Sequence, residues 1–316
     1  MEEIPKETTM TTSHKPGIGL TTTKAAFIED AQANGELYIH QPYELYSEEN
    51  QATWKKMYEA IRPKWEKYAN AKFMEGVENL VLKPDAIPRL DEINAFLSPL
   101  SGFVAKPVSG YVPAYLFFDC LRNRSFPTTI TIRDGKLLDY LPEPDIFHDI
   151  AGHVPMHTDR KFSDVLVRFG EVARFAAIRA RSLTSDQDEI NRVVESNIKA
   201  MARFFWFTVE FGLMRENNEM KVYGSGLLSS LGEIEHCIES DQVQRFPAQL
   251  EWIVNQYFEI DKFQPLLFYV ESFDHLFGLV DDLEQWLKNG KLDNVSPGEP
   301  LVNPQDLESF LTADTK

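Results

Sequence analysis

The chain is short of several things, and each scarcity excludes a class of protein. Its 316 residues include two cysteines, Cys120 and Cys237. Two thiols so far apart in sequence supply neither a disulfide scaffold nor a cysteine metal knuckle. Basic residues are outnumbered: 32 Lys and Arg against 49 Asp and Glu give 32 − 49 = −17. That balance argues against nucleic acid and against anionic membrane surfaces, both of which require clustered positive charge. No stretch approaches the roughly 18 apolar residues of a membrane span. The opening segment MEEIPKETTMTTSHKPGIGLTTTK is Thr-rich without an apolar run, so no signal peptide or anchor is expected there. What is present is a 43% share of apolar residues, enough for a sizeable core. The expectation is a soluble protein of a reducing compartment, located in the cytoplasm.

Gly/Ser-rich and Pro-rich linkers are also missing, as are internal repeats. One domain is therefore expected over residues 25–290, with tails at 1–24 and 291–316 that offer little to bury. Helical periodicity covers residues 50–70 (with Pro63 as a kink), 112–122, 162–182, 186–215, 249–260 and 274–289, the last stopped by Gly290. Strand signals are few. The clearest is an alternating run over 128–133, then Asp134-Gly135, then 136–140, which predicts a β-hairpin. The expected class is mainly α (α+β), a single helical domain with a small β-hairpin or sheet element.

Histidine is scarce too, yet three of the seven fall within LPEPDIFHDIAGHVPMH, residues 141–157. His148 and His153 are five apart, about 140° around an ideal α-helix. They can meet at one ion only if the helix ends or distorts between them, and Gly152 and Pro155 are residues that end helices. His153 and His157 have the simpler i, i+4 spacing, but Pro155 interrupts it. Taken singly, each histidine reads more readily as structural. Glu210 lies among large apolar side chains in FFWFTVEFG, and a carboxylate buried there needs a partner. A metal ion is one partner; Arg203 or a surface position is another. Trp206, one turn from Glu210, would line the same cavity. Two histidines and one carboxylate with open positions form the facial triad of non-haem Fe(II) oxygenases. A zinc hydrolase is the rival reading, although His148-Asp149…His153 is one residue longer than HExxH and carries Asp for Glu.

At these residues the sequence resembles the pterin-dependent aromatic amino acid hydroxylases, and among them the short bacterial phenylalanine branch. The strings GYVPAYLFFDCLRNRSFP, EPDIFHDIAGHVP, WFTVEFGL, VYGSGLLSSLGE and KFQPL carry the resemblance, in the family's order. It implies ring monooxygenation of an aromatic amino acid, L-phenylalanine to L-tyrosine, using Fe(II), a tetrahydropterin and O2. By family position His148, His153 and Glu210 would ligate iron, and Ser229 would orient a ligand histidine. Arg133, with Asp145 as its acidic partner, would hold the substrate carboxylate. Pro144, Trp206, Phe211 and Gly226 would shape the ring pocket. Phe117 would stack on the pterin, Gly110 and Val112 would offer it backbone groups, and Asp149 would reach it through water.

Departures from the family pattern also appear. Phe205 stands where many members have Tyr, and Ile130-Thr131 replaces a Trp-Trp pair. Pro127 and Leu141 stand where animal members are polar, as in the bacterial branch, and Tyr269 is bulkier than usual. With no room for a regulatory domain and no heptad-bearing C-terminal helix, a monomer or weak dimer is expected. A catalytically silent member, or one acting on tyrosine or tryptophan, remains an alternative at this level.

Overall fold

The structure, a computed structural model, describes residues 19–22, 25–110, 112–138, 144–260 and 262–298. A short helix α1 (Ala26–Ala33) precedes the long α2 (Glu48–Tyr68). Ser47 and Asn50 cap α2 reciprocally: Ser47 Oγ accepts from Asn50 N at 3.2 Å, and Asn50 Oδ1 accepts from Ser47 N at 3.1 Å. The face with Trp54, Met57, Tyr58, Ile61 and Trp65 is buried, as the periodicity predicts, and the helix runs on through Pro63. Next come α3 (Ala71–Asn79) and α4 (Leu90–Ser101), the latter closed by Gly102 at φ +80°. Pro113 is the residue before α5 (Ala114–Arg122), where its missing N–H costs little.

After a four-residue turn α6 (Val154–His157) come α7 (Arg160–Leu183), the longest described helix, and α8 (Gln187–Phe205). Asp159 caps α7 by accepting from Phe162 N at 2.9 Å, and Asp186 caps α8. The helix expected to reach residue 215 instead ends in a π turn at Glu210 and gives way to a strand. The chain continues through α9 (Ser225–Leu228), α10 (Glu233–Glu239), α11 (Leu250–Asn255) and α12 (Phe273–Lys288). Of the helix expected over 249–260, only α11 forms. Gly290, at φ +75°, follows α12. Among the described residues no helix is long and apolar enough to cross a membrane.

The small β component is present, but not as the expected hairpin. Strand β1 (Val104–Val108) pairs in parallel with β2 (Ser125–Thr129). Beyond β2, Ile132 makes a lone bridge to Thr21, and residues 134–137 turn, with Leu137 N donating to Asp134 O at 2.8 Å. The alternating pattern arose from burial on both sides, since Ile130, Thr131, Ile132 and Arg133 are all buried. Residues 139–143, Leu141 among them, lie outside the described ones. The antiparallel hairpin is β3 (Leu213–Glu216) with β4 (Glu219–Val222), turning at Asn217-Asn218 with φ 52° and 67°. With β5 (Gln244–Pro247) and β6 (Leu266–Val270) it forms a sheet ordered β4-β3-β6-β5.

The packed body exceeds the expected limits of 25 and 290. Leu20 is fully buried and its N–H donates to Asn50 Oδ1 at 3.0 Å. At the other end Leu292 is fully buried, and Asp293 pairs with Arg179 at 2.7 Å. Composition misses such single anchors because it averages over the polar residues around them. Of the two expected tails, residues 1–18, 23–24 and 299–316 lie outside the described residues.

One carboxyl gives the body a pH dependence. Glu233 is 1% exposed; Oε1 accepts from Gln264 N at 2.7 Å, and Oε2 has no hydrogen-bond partner among the described residues. Burial pushes its pKa from 4.5 up to about 8. The folded chain therefore keeps a proton that the unfolded chain releases above about pH 4.5, so this group's contribution to stability falls between about pH 4.5 and 8 and is level above. Urea midpoints of wild type and Glu233→Gln near pH 5 and pH 8 test this. The wild type is expected to lose more stability over that interval, and an equal loss contradicts it.

Candidate metal centre and pocket

His148 and His153 face one point because the helix that carries them is not α. Residues Phe147–His153 form a π-helix, in which bonds run from i to i+5 and residues five apart lie one above the other. Asp145 anchors its start, Oδ1 accepting from His148 N at 2.9 Å. Gly152 lets α9 lie against it, for a Cβ there would meet Ser225 O at 2.9 Å and Ser229 Cβ at 3.2 Å. The second π turn, Trp206–Glu210, delivers the carboxylate.

The donor triangle is closed. The two Nε2 atoms are 3.1 Å apart; Glu210 Oε1 is 3.1 Å from His153 Nε2, and Glu210 Oε2 is 3.6 Å from His148 Nε2. Three donors each about 2.1 Å from one ion, at right angles, would stand about 3.0 Å apart. The observed edges fit one face of an octahedral ion and leave its opposite face to other ligands. His153 is buried, whereas His148 and Glu210 keep 18% and 16% side-chain exposure, so the set opens on one side.

The electrostatics suit a cation. Burial lowers the His148 pKa to about 4, leaving a neutral imidazole with a lone pair to give. Burial alone would raise Glu210, but His153, His148 and the Ser225 hydroxyl outweigh it and hold the group ionised, well below the usual carboxylate range. Ser229 Oγ lies 2.8 Å from His148 Nδ1 and orients the ring, as the resemblance implies. Ser225 Oγ donates to Glu210 Oε2 at 2.8 Å and lies 2.9 Å from His153 Nε2. Ser225 did not stand out in the sequence, although it sits in the VYGSGLLSS string.

The competing partners fall away. Arg203 donates to the carbonyls of Val254 and Ser296, at 3.0 and 2.8 Å. His157 is core, packed against Phe103 and Phe126, and burial keeps its pKa well below the ordinary value. Asp149 also lies within 4.8 Å of the histidine nitrogens. Its Oδ2, however, accepts from Thr129 N at 2.7 Å and from the Thr129 hydroxyl, and burial raises its pKa to about 7. Glu210 stands closer to both rings and is the better ligand on distance.

Around this centre the other expected residues are distributed as follows. Arg133 and Asp145, both buried, form a two-pronged pair, Nε to Oδ2 at 2.8 Å and Nη2 to Oδ1 at 2.9 Å. Trp206 stacks between Phe211 and Phe258, with centroids 4.4 and 4.1 Å away. Gly226 abuts Phe211 so closely that a Cβ would come within 2.7 Å of its ring. Pro144 is exposed beside Asp145. Phe117 meets Phe205 edge-on at 5.3 Å, so the ring that replaces the family tyrosine is packed between Phe117 and His153. Gly110, at φ +148°, faces the Gln32 amide, Val112 is half-buried, and Tyr269 accepts from Arg215 at 3.1 Å. Phe258 and Gln264 join the pocket without any signal that periodicity or motif spacing could have given. A separate cavity of about 610 Å³, lined by Tyr43, Leu82, Ile87, Arg89 and Phe96 among others, contains none of these residues.

Metal titration tests the ligand set. Glu210→Ala is expected to abolish stoichiometric Fe(II) binding, Ser229→Ala to weaken it by roughly 10- to 100-fold, and Asp149→Asn to retain it. Full iron retention by Glu210→Ala, or its loss in Asp149→Asn, contradicts the assignment.

The sequence pattern of the family described as biopterin-dependent aromatic amino acid hydroxylase matches residues 23–290. A phenylalanine-4-hydroxylase of Chromobacterium violaceum is 36% identical over 289 residues, covering 88% of this chain and 90% of that protein. A solved structure of phenylalanine hydroxylase from the same organism, with bound iron(III) and the oxidised cofactor 7,8-dihydrobiopterin, superposes with a TM-score of 0.71 at 32% identity, covering 85% of this chain and 91% of that one. Another, bound to iron and phenylalanine, gives 0.69 at 31% identity, covering 83% of this chain and 90% of the other. With a match running over most of its length and the iron-type donor triangle at its centre, the chain belongs to the biopterin-dependent aromatic amino acid hydroxylases.

Proposed function

We propose that the protein is a phenylalanine 4-monooxygenase, converting L-phenylalanine to L-tyrosine with Fe(II), a tetrahydropterin and O2. The observation that carries this reading is the His148, His153 and Glu210 triangle beside an aromatic wall, in a chain 36% identical to a phenylalanine-4-hydroxylase. When bound, the iron and pterin supply O2 activation, one oxygen atom passing to the ring and the other to the pterin. The chain supplies positions and a dry environment.

The neutral His148 and ionised Glu210 offset part of the metal's charge and leave it Lewis acidic. Arg133 is proposed to hold the substrate carboxylate. Its guanidinium is aimed by Asp145, which takes two N–H donors, and by the Leu138 carbonyl, which accepts from Nη1 at 3.3 Å. The same Asp145 also receives His148 N, so one carboxylate ties the substrate anchor to the start of the metal-bearing π-helix. Trp206, Phe211, Gly226 and Pro144 are proposed to shape the ring pocket. Phe117 is proposed to stack on the pterin, with Gly110 and Val112 giving backbone groups and Asp149 acting through water. The contacts of Phe117 with Phe205 and Phe126, both beside His153, support a pterin plane next to the metal. The acidic balance of −17 supports solubility, and we propose a cytoplasmic location and a monomer or weak dimer.

The experiment is a competition assay: Fe(II)-loaded protein, a tetrahydropterin and O2, with phenylalanine, tyrosine and tryptophan offered together. Tyrosine formed from phenylalanine is the expected main product; no hydroxylation of any of the three contradicts the reading. Arg133→Ala would leave Asp145 buried without its partner, so Arg133→Lys is the cleaner variant for the carboxylate role. It is expected to raise KM for phenylalanine by roughly ten-fold and leave KM for the pterin unchanged. An unchanged KM for the amino acid refutes that role.

A further inference from the structure

The string KFQPL carries family resemblance but no role, and the structure gives its glutamine a defined task. Gln264 is 3% exposed, and its polar groups are engaged. Its N–H donates to Glu233 Oε1 at 2.7 Å. Its amide nitrogen donates to the carbonyls of Glu259 at 2.8 Å and Lys262 at 3.0 Å. Both amide hydrogens are thereby assigned, so the amide cannot flip and its oxygen must face the other way. That oxygen accepts from Trp206 Nε1 at 3.2 Å.

The indole needs this contact because stacking leaves it a degree of freedom. Its ring lies against Phe258 at 4.1 Å and 11° and against Phe211 at 4.4 Å and 34°. Stacked rings tolerate sliding and in-plane rotation at little cost, whereas an N–H···O bond is directional. Trp206 also opens the π turn that ends in Glu210, so its in-plane setting is referred directly to a metal ligand. Glu233 N donates to the Ser230 hydroxyl at 3.3 Å, next in the chain to Ser229, the residue on His148.

We propose that Gln264 is a positioning residue that fixes the in-plane orientation of Trp206, and through it the seat of the substrate ring. Glu233 fixes Gln264 in turn. The inference rests on the reading above only in treating Trp206 as a wall of the substrate pocket.

Two measurements on the iron-loaded protein test it. In protein labelled with ¹⁵N-tryptophan, the Trp206 indole N–H, identified by its disappearance in Trp206→Phe, is expected to be protected from solvent exchange. Gln264→Leu is expected to remove that protection. In turnover, Gln264→Leu is expected to raise KM for phenylalanine about two- to ten-fold with KM for the pterin unchanged. On a Trp206→Phe background the same change is expected to add less than about two-fold, because the bond it acts through is already gone. Glu233→Gln, which keeps the acceptor for Gln264 N, is expected to preserve indole protection. Undiminished protection in Gln264→Leu, or equal KM effects on both backgrounds, overturns the proposal. Should Gln264→Leu not fold, Gln264→Met carries the same test. The exchange measurement uses no substrate, so it decides the role of Gln264 separately from the identity of the amino acid.

Discussion

Two imidazoles and a carboxylate held within 3.1 to 3.6 Å of one another, inside a protein body, are the arrangement around which the rest is built. Desolvating a carboxylate is costly, and crowding two ring nitrogens adds to the cost unless a cation satisfies all three. The fold meets this requirement with backbone rather than with counter-charges. Two π turns, rare in proteins generally, bring residues five apart onto one line and aim the carboxylate at them. Neither Arg203 nor any of the lysines in the described ion pairs bridges to Glu210; its partners are His148, His153 and Ser225.

Outer contacts make that arrangement rigid. Trp65 on α2 donates to Leu228 O at 2.7 Å and so pins α9, which carries Ser225 and leads into Ser229. Asp145 binds Arg133 and the N–H of His148 together, coupling the proposed carboxylate anchor to the metal site. Gln264 holds Trp206, which opens the π turn that ends in Glu210. Each brace links a group that would touch substrate to a group that would touch metal, and so fixes the distance over which an oxygen atom must pass. The burial is deep: Asp145 and Ser229 are 0% and 4% exposed.

Much of this was legible in the sequence, for identifiable reasons. The amphipathic stripes of α2, α7 and α12 announce themselves because each buries a single face over many turns. The candidate donors stood out because histidine is rare and Glu210 sits in an apolar run, and it was the family resemblance that singled out His148, His153 and Glu210 among them. On an α-helix His148 and His153 cannot share a face, and the π-helix is the distortion that lets them meet. The hairpin over 128–140 was misread because alternation of Ile and Thr looks the same whether one face of a strand is wet or both are covered. The Asn217-Asn218 turn carried a usable signal, two residues tolerant of positive φ, but it followed directly on a helical pattern that runs to residue 215 and covers the start of β3. Ser225, Phe258 and Gln264 act through contacts distant in sequence, which no local pattern encodes.

On this geometry iron would be held by His148, His153 and Glu210 in preference to the neighbouring Asp149. Anomalous diffraction at the iron edge, from crystals of the Fe(II)-loaded protein, tests it most directly. One peak is expected about 2.1 Å from Nε2 of both histidines and from a Glu210 oxygen, with the Asp149 carboxyl still on Thr129. A peak ligated by Asp149 in place of Glu210, or by only one of the histidines, would contradict it.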